Sequence, residues 1–366
     1  MYDTLISGAT IVDGSGNTPY KANVALFGDS IVFIGKEGIT RARTQIDGSG
    51  LVLAPGFIDI HTHTDLEALR NNRMAVRIAQ GITTDVSGNC GIGTFPVSPG
   101  LDKVVADVLG TYSPWSWKDY RSFRDTIISR GIGINEAFLV SHTALRLAVM
   151  GEDAGREATE EEIERMCSIL SDELDKGAHG FSSGLYYAPC VFAGREELIR
   201  LLKVVKGKGR LFSVHHRCEG DDVEASLSEV ISLAAETGVR LEVSHLKVIG
   251  RENQGKVESL LSMIEKARES GVDVKFDQYP YTFGSTSLFS LLPPSILALS
   301  RLEQRLALSL ENEREEIRRE ILHPSGWDSI YSMVGPDDIK AIYLDDGKEY
   351  AGLTLSEIGK RRGQDP

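Results

Sequence analysis

From Pro55 onward the chain repeats one pattern: a short β-type run, a polar loop, then a stretch with helical periodicity. The runs are Phe57 to Ile60, Ile82 to Val86, Ala137 to Ser141, Ala178 to Ser182, Leu211 to His215, Leu241 to Ser244 and Val272 to Phe276. Helical spacing fills 75–80, 160–176, 195–208, 226–237 and 257–270. Neighbouring strands joined through helices must run parallel, because only a long crossover returns the chain in the same direction. Seven such units over residues 55–366 predict an α/β fold, a TIM-like (β/α) barrel with one strand unplaced. In that architecture the chemistry gathers at the C-terminal ends of the strands.

Residues 1–54 read differently. Leu5-Ile6, Thr10 to Val12, Val24 to Phe27, Ile31 to Ile34 and Leu51 to Leu53 are short β runs separated by turns such as Asp13-Gly14-Ser15-Gly16. They predict a small β-sandwich module, and with no His or Cys it carries no chemistry of its own. A second departure follows the seventh strand, where about 285–345 reads as an insertion with a long charged helix from Leu302 to Ile321. Such insertions serve as lids or binding loops, or simply as solvated surface.

A net charge of −13 argues against nucleic acid or an anionic membrane as a partner. No run approaches the roughly 18 apolar residues of a membrane span, and no secretory leader pattern opens the chain. Four cysteines, Cys90, Cys167, Cys190 and Cys218, are too few and too scattered for a disulfide framework. A cytoplasmic location is expected, with thiols free to bind metal.

His61 and His63 stand one residue apart at the end of the first strand, so both side chains point to one face. Cys90 follows the second strand in Ser87-Gly88-Asn89-Cys90-Gly91, His215 ends the fifth and His245 follows the sixth. Any one of these reads as easily as an ordinary polar residue at a strand end. Together they fall on the same rim, which is the pattern of a metal centre. Nitrogen and thiolate donors select Zn²⁺ over Mg²⁺ or Ca²⁺, and zinc with an open position activates water against a carbonyl. Hydrolysis is the expected reaction class.

The Gly56-Phe57-Ile58-Asp59-Ile60-His61-Thr62-His63 run and the strands after it resemble the amidohydrolase superfamily. Gly88-Asn89-Cys90-Gly91, Gly184-Leu185-Tyr186-Tyr187-Ala188-Pro189, His215-His216-Arg217-Cys218-Glu219-Gly220, Ser244-His245-Leu246-Lys247 and Asp277-Gln278-Tyr279-Pro280-Tyr281 resemble its N-acyl-D-amino-acid deacylases, the D-aminoacylases. That resemblance implies a tight zinc site at Cys90, His215 and His245, and a weaker second site at His61 and His63. It implies substrate contacts from Tyr187, Lys247, Tyr279 and Ser285, and a small-molecule N-acyl-D-amino acid split into a D-amino acid and a carboxylate. Relatives acting on cyclic amides carry a carbamylated lysine at the end of the fourth strand. Gly180-Phe181-Ser182-Ser183-Gly184 has none, which speaks against hydantoinase or dihydroorotase chemistry. No role attaches to His142, His179, His323, Cys167, Cys190 or Cys218.

The family's acid/base is an aspartate in a Gly-Ser-Asp-Gly type turn after the eighth strand, and no such turn occurs here. Gly352 to Ile358 and the residues up to Pro366 resemble what precedes that strand. The expectation is therefore a C-terminally truncated member, its last barrel strand missing and its catalytic acid unknown. Alternatively Ile339 to Leu344 is the closing strand and Asp345 the acid. An open barrel exposes strand edges and favours a homo-oligomer. Two rival functions remain: another hydrolase of the superfamily, acting on a cyclic amide, dipeptide or lactone, and a catalytically impaired zinc-binding scaffold.

Overall fold

The computed structural model describes residues 1–36, 41–344 and 347–366, and it divides into two units, Met1–Ile58 with Ala79–Thr83, and Asp59–Ile78 with Thr84–Pro366. The first unit holds strands β1 (Tyr2–Ile11), β2 (Tyr20–Phe27), β3 (Ser30–Gly35), β4 (Ala42–Asp47) and β5 (Val52–Leu53). Their order is β3-β2-β1-β4, with β5 also on β1. β2 and β3 turn through the two residues Gly28-Asp29, and the positive φ of 60° at Gly28 is the backbone such a tight hairpin needs.

Among the described residues this module is one mixed sheet, not the expected sandwich of two. Two of the expected short runs are parts of a single strand, β1, whose register shifts between Ile6 and Ala9 around Gly8 at φ 73°. β4 was not expected at all, because Arg43, Thr44, Gln45 and Asp47 give it no apolar alternation.

The second sheet contains β6 (Phe57–Asp59), β7 (Ile82–Ser87), β8 (Asn135–Ser141), β9 (Gly180–Gly184), β10 (Leu211–His215), β11 (Arg240–Val243) and β12 (Val274–Phe276). The seven strands lie side by side in sequence order, and every pair from β7 to β12 is parallel. Helices Glu160–Asp175, Arg195–Gly207, Val223–Thr237 and Val257–Glu269 follow successive strands, as the periodicity predicts. The first starts at a reciprocal cap between Thr159 and Glu162 and buries Ile163, Met166, Leu170 and Leu174 on one face. These apolar faces join Phe138, Val140, Phe181, Phe212, Val214 and Val243 in one core.

Helices Leu101–Leu109, Tyr120–Arg130 and His142–Met150 were not anticipated. The expected single helix over 302–321 is two, Arg301–Ala307 and Glu311–Leu322, because Leu310 turns extended at φ −92° and ψ 129°. Among the described residues Ile339 to Leu344 does not supply a closing strand: its one bridge there is Lys340 to Thr354, outside the seven-stranded sheet. Asp345 lies outside the described residues. No helix among the described residues is long and apolar enough to cross a membrane.

Candidate metal centre

The loop carrying Cys90 is fixed from three sides. Asn89 Nδ2 donates to the Val86 carbonyl at 2.9 Å, and its Oδ1 accepts from Ser213 Oγ at 2.8 Å. Gly91 N donates to Ser182 Oγ at 3.1 Å. Gly184 has to be glycine here, since a Cβ would stand 2.1 Å from the Cys90 carbonyl oxygen. Cys90 itself sits at φ 54° and His245 at φ 37°, both in the left-handed region that non-glycine residues seldom occupy. The His245 amide is held by Asp277 Oδ1 at 2.7 Å.

These backbones bring Cys90 Sγ to 3.4 Å from His61 Nε2 and 3.3 Å from His245 Nε2. One ligand atom each from His61, Cys90 and His245 lies within 4.8 Å of the others, and the same holds for His215, Glu219 and His245. The two groups share His245, whose ring centroid is 4.5 Å from that of His215. His63 belongs to neither group. Its ring centroid is 5.6 Å from that of His61, and its buried Nδ1 has no hydrogen-bond partner among the described residues.

Two acids join the site that sequence reasoning missed. Glu219 is buried, and its Oε1 lies 2.6 Å from Lys247 Nζ, 3.1 Å from His245 Nδ1 and 3.6 Å from His215 Nε2. Asp277 Oδ2 lies 3.1 Å from His61 Nδ1. Asp277 immediately follows β12, so the strand-end logic that picked out the histidines applies to it equally. Glu219 follows His215 by four residues in a loop, where nothing periodic marks it.

Charge in this cluster is mutually arranged. Burial opposes the Cys90 thiolate, yet the His61 charge and bonds from His215 and His245 hold it well below the usual thiol range. Burial likewise opposes charge on His61, but the thiolate and the Asp277 bond lift it to about 10. His245 rises to about 9 against its burial, through Cys90 and Glu219. Glu219 is kept well below the carboxylate range, its burial outweighed by His215, Lys247 and His245. His215 moves the other way, because burial dominates the attraction of Glu219. Since a charged His245 donates from both nitrogens, its Nδ1 proton goes to Glu219 rather than toward Lys247 Nζ, which is 3.0 Å away and also a donor.

The donor set therefore fits a borderline-soft cation: one thiolate, three convergent imidazoles and two carboxylates in a largely buried place. An ion would replace the protons that now neutralise the thiolate.

Of the four residues assigned to substrate by resemblance, Tyr187 packs its ring 4.8 Å from His215 and sets its hydroxyl 3.3 Å from Thr286 Oγ1. Lys247 lies over the Tyr279 ring at 5.7 Å while bonded to Glu219. Ser285 is exposed, one residue before Thr286. A separate buried network unites His142, Arg146 and Glu197: His142 Nε2 is 2.8 Å from Glu197 Oε1, and Arg146 donates to both carboxylate oxygens.

The chain is similar to known proteins over most of its length. The sequence model of the Amidohydrolase family matches residues 44–292. A D-aminoacylase of Alcaligenes xylosoxydans xylosoxydans is 37% identical over 287 residues, covering 78% of this chain and 59% of the relative. An N-acyl-D-glutamate deacylase of the same organism is 38% identical over 289 residues, covering 78% and 58%. The chain thus spans less than two thirds of the length of these relatives. A solved N-acyl-D-glutamate deacylase from Bordetella bronchiseptica, in complex with zinc and a phosphonate mimic of the tetrahedral intermediate, superposes with a TM-score of 0.81 at 32% identity. That match covers 100% of this chain and 68% of the other.

Proposed function

The chain belongs to the amidohydrolase family, within its D-aminoacylase group, and from that membership and the geometry of the site we propose that it serves metal-dependent hydrolysis of N-acyl-D-amino acids. The observation that carries the reading is the convergence of Cys90 Sγ with His61 Nε2 and His245 Nε2 at 3.4 and 3.3 Å. Zinc is the ion we propose; by resemblance Cys90, His215 and His245 would hold it tightly, with His61 and His63 toward a second, weaker position. The donors that converge on Cys90 and His245 here are His61 on one side and His215 with Glu219 on the other. When bound, it supplies Lewis acidity that polarises the acyl carbonyl and makes water nucleophilic at neutral pH.

The chain's own residues serve to hold the ion and the substrate. Cys90, held well below the usual thiol range by its histidine neighbours, would offer the ion a thiolate ligand. Lys247 and the hydroxyls of Tyr187, Tyr279 and Ser285 would hold the substrate's carboxylate by charge and hydrogen bonds. Glu219, a buried carboxylate in contact with Lys247, limits how much of that cation a substrate can use. All four cysteines are free, which supports a reducing, cytoplasmic setting.

The test is an assay of the zinc-loaded chain on N-acetyl-D-methionine, N-acetyl-D-glutamate and N-acetyl-D-aspartate beside their L forms and a cyclic amide. D-selective release of the free amino acid is expected. Turnover of the cyclic amide alone overturns the substrate class, and stoichiometric zinc binding with no turnover leaves only the metal site standing.

A further inference from the structure

On the reading that this site holds a metal ion, we propose that Asp277 is a positioning residue whose single carboxylate sets two of the donors at once. Its Oδ2 meets His61 Nδ1 at 3.1 Å, and its Oδ1 accepts the backbone N–H of His245 at 2.7 Å. Both of those histidines turn Nε2 to Cys90 Sγ, at 3.4 and 3.3 Å. The shared carboxylate explains why they can.

An ionised carboxylate only accepts, so the His61 proton that faces it must sit on Nδ1, and an ion that displaced the other ring proton would meet the lone pair on Nε2. That is the orientation a ligand histidine needs, and carboxylates commonly enforce it from behind. At His245 the control is through the main chain. Its φ of 37° is sparsely populated for a side-chain-bearing residue, and the bond to Asp277 Oδ1 is what anchors that peptide N–H. The His245 ring has its own acceptor in Glu219, 3.1 Å from Nδ1, so both rings are backed by an anion.

Position in the fold makes Asp277 suited to this. It follows β12, one edge of the seven-stranded sheet, whereas His61 follows β6, the other edge, and 216 positions separate them in sequence. The carboxylate therefore ties together donors that no neighbouring-strand pairing holds in register.

Asparagine is the discriminating replacement, because it keeps the shape but offers one acceptor to two donors. Whichever way the amide turns, its NH₂ confronts either His61 Nδ1–H or the His245 N–H. Zinc affinity of wild type and Asp277→Asn is measured by competition with a chelator, together with the visible absorption of the cobalt-loaded proteins and the melting of the metal-free ones. The variant is expected to bind zinc roughly 10- to 100-fold more weakly and to give an altered cobalt spectrum. Should the variant not fold, ¹H–¹⁵N correlation of the histidine rings in zinc-loaded wild type decides the matter: a slowly exchanging proton on His61 Nδ1 supports the role, and one on Nε2 overturns it. Unchanged affinity and spectrum in a folded variant overturn the role of Asp277 alone, while a wild type that binds no zinc overturns the metal reading and this inference with it.

Discussion

Lys247 Nζ lies 2.6 Å from Glu219 Oε1, and that same oxygen lies 3.1 Å from His245 Nδ1. One buried carboxylate thus serves both the lysine assigned to substrate and a histidine assigned to metal. Replacing it by glutamine leaves Lys247 and the two imidazoles without their shared anion. Breaking a buried charge pair in this way costs about 3 kcal/mol or more, and losing the acceptor behind a ligand histidine weakens metal binding about 10- to 100-fold. Glu219→Gln should therefore melt lower than wild type even without metal and bind zinc more weakly. A variant matching wild type in both respects would show that Glu219 is a bystander.

Metal removal gives a second expectation. An ion that binds the folded chain stabilises it by about 4 kcal/mol when present at 1,000 times its dissociation constant. Melting with excess zinc should exceed melting with a chelator, and Cys90→Ala should abolish most of that difference by removing the thiolate. A zinc-induced rise that survives in Cys90→Ala would place the binding elsewhere.

How much of this was legible in the sequence depends on how each residue announces itself. His215 and His245 stand where apolar runs stop, so a period-two reading locates them and the parallel fold brings them to one rim. Asp277 has the same address and opens one of the quoted motifs, but a carboxylate after a strand is so ordinary that its type alone gives it no role. Glu219 sits in a loop and acquires meaning only once the chain folds back on His245. The helix His142–Met150 escaped for a different reason: Ser141 is at once the last strand residue and the helix cap, and burial of His142, Thr143, Ala144, Leu145 and Arg146 leaves no polar face to show a stripe. Polar β4 was missed for the converse reason, having no apolar face.

Glu136, on β8, provides a pH-dependent test. Burial, then the charges of Asp85 and Asp65, raise its carboxyl from 4.5 to about 9, and its Oε1 has no hydrogen-bond partner among the described residues. A folded-state value above the unfolded one means the group binds its proton more tightly when folded. Its contribution to stability is complete below about 4.5 and drains away as pH rises toward about 9. Glu136→Gln carries no such charge at any pH. Its advantage in melting temperature over wild type should widen between about pH 6 and about pH 8.5, with each kcal/mol appearing as roughly 1–2 °C in a chain of this length. An advantage that stays constant across that range would mean Glu136 does not titrate there.

The last expectation concerns the network under the helix His142–Met150. Arg146 is wholly buried, yet it carries a full charge that must be met inside the protein. Its Nη1 donates to both oxygens of Glu197, and its Nη2 reaches the carbonyls of Ala154 and Arg156. Glu197 has His142 as its remaining partner, at 2.8 Å. Arg146→Met fills similar space but strands the carboxylate, and the expected loss is about 3–5 kcal/mol. Changing Glu197→Leu in the same chain removes the stranded charge, so the double variant should lose less than the two single variants added together. Urea unfolding, with the midpoint compared at equal slope, measures all three. Strict additivity, or a single variant within about 1 kcal/mol of wild type, would show that solvent or a neighbouring group meets the charge instead.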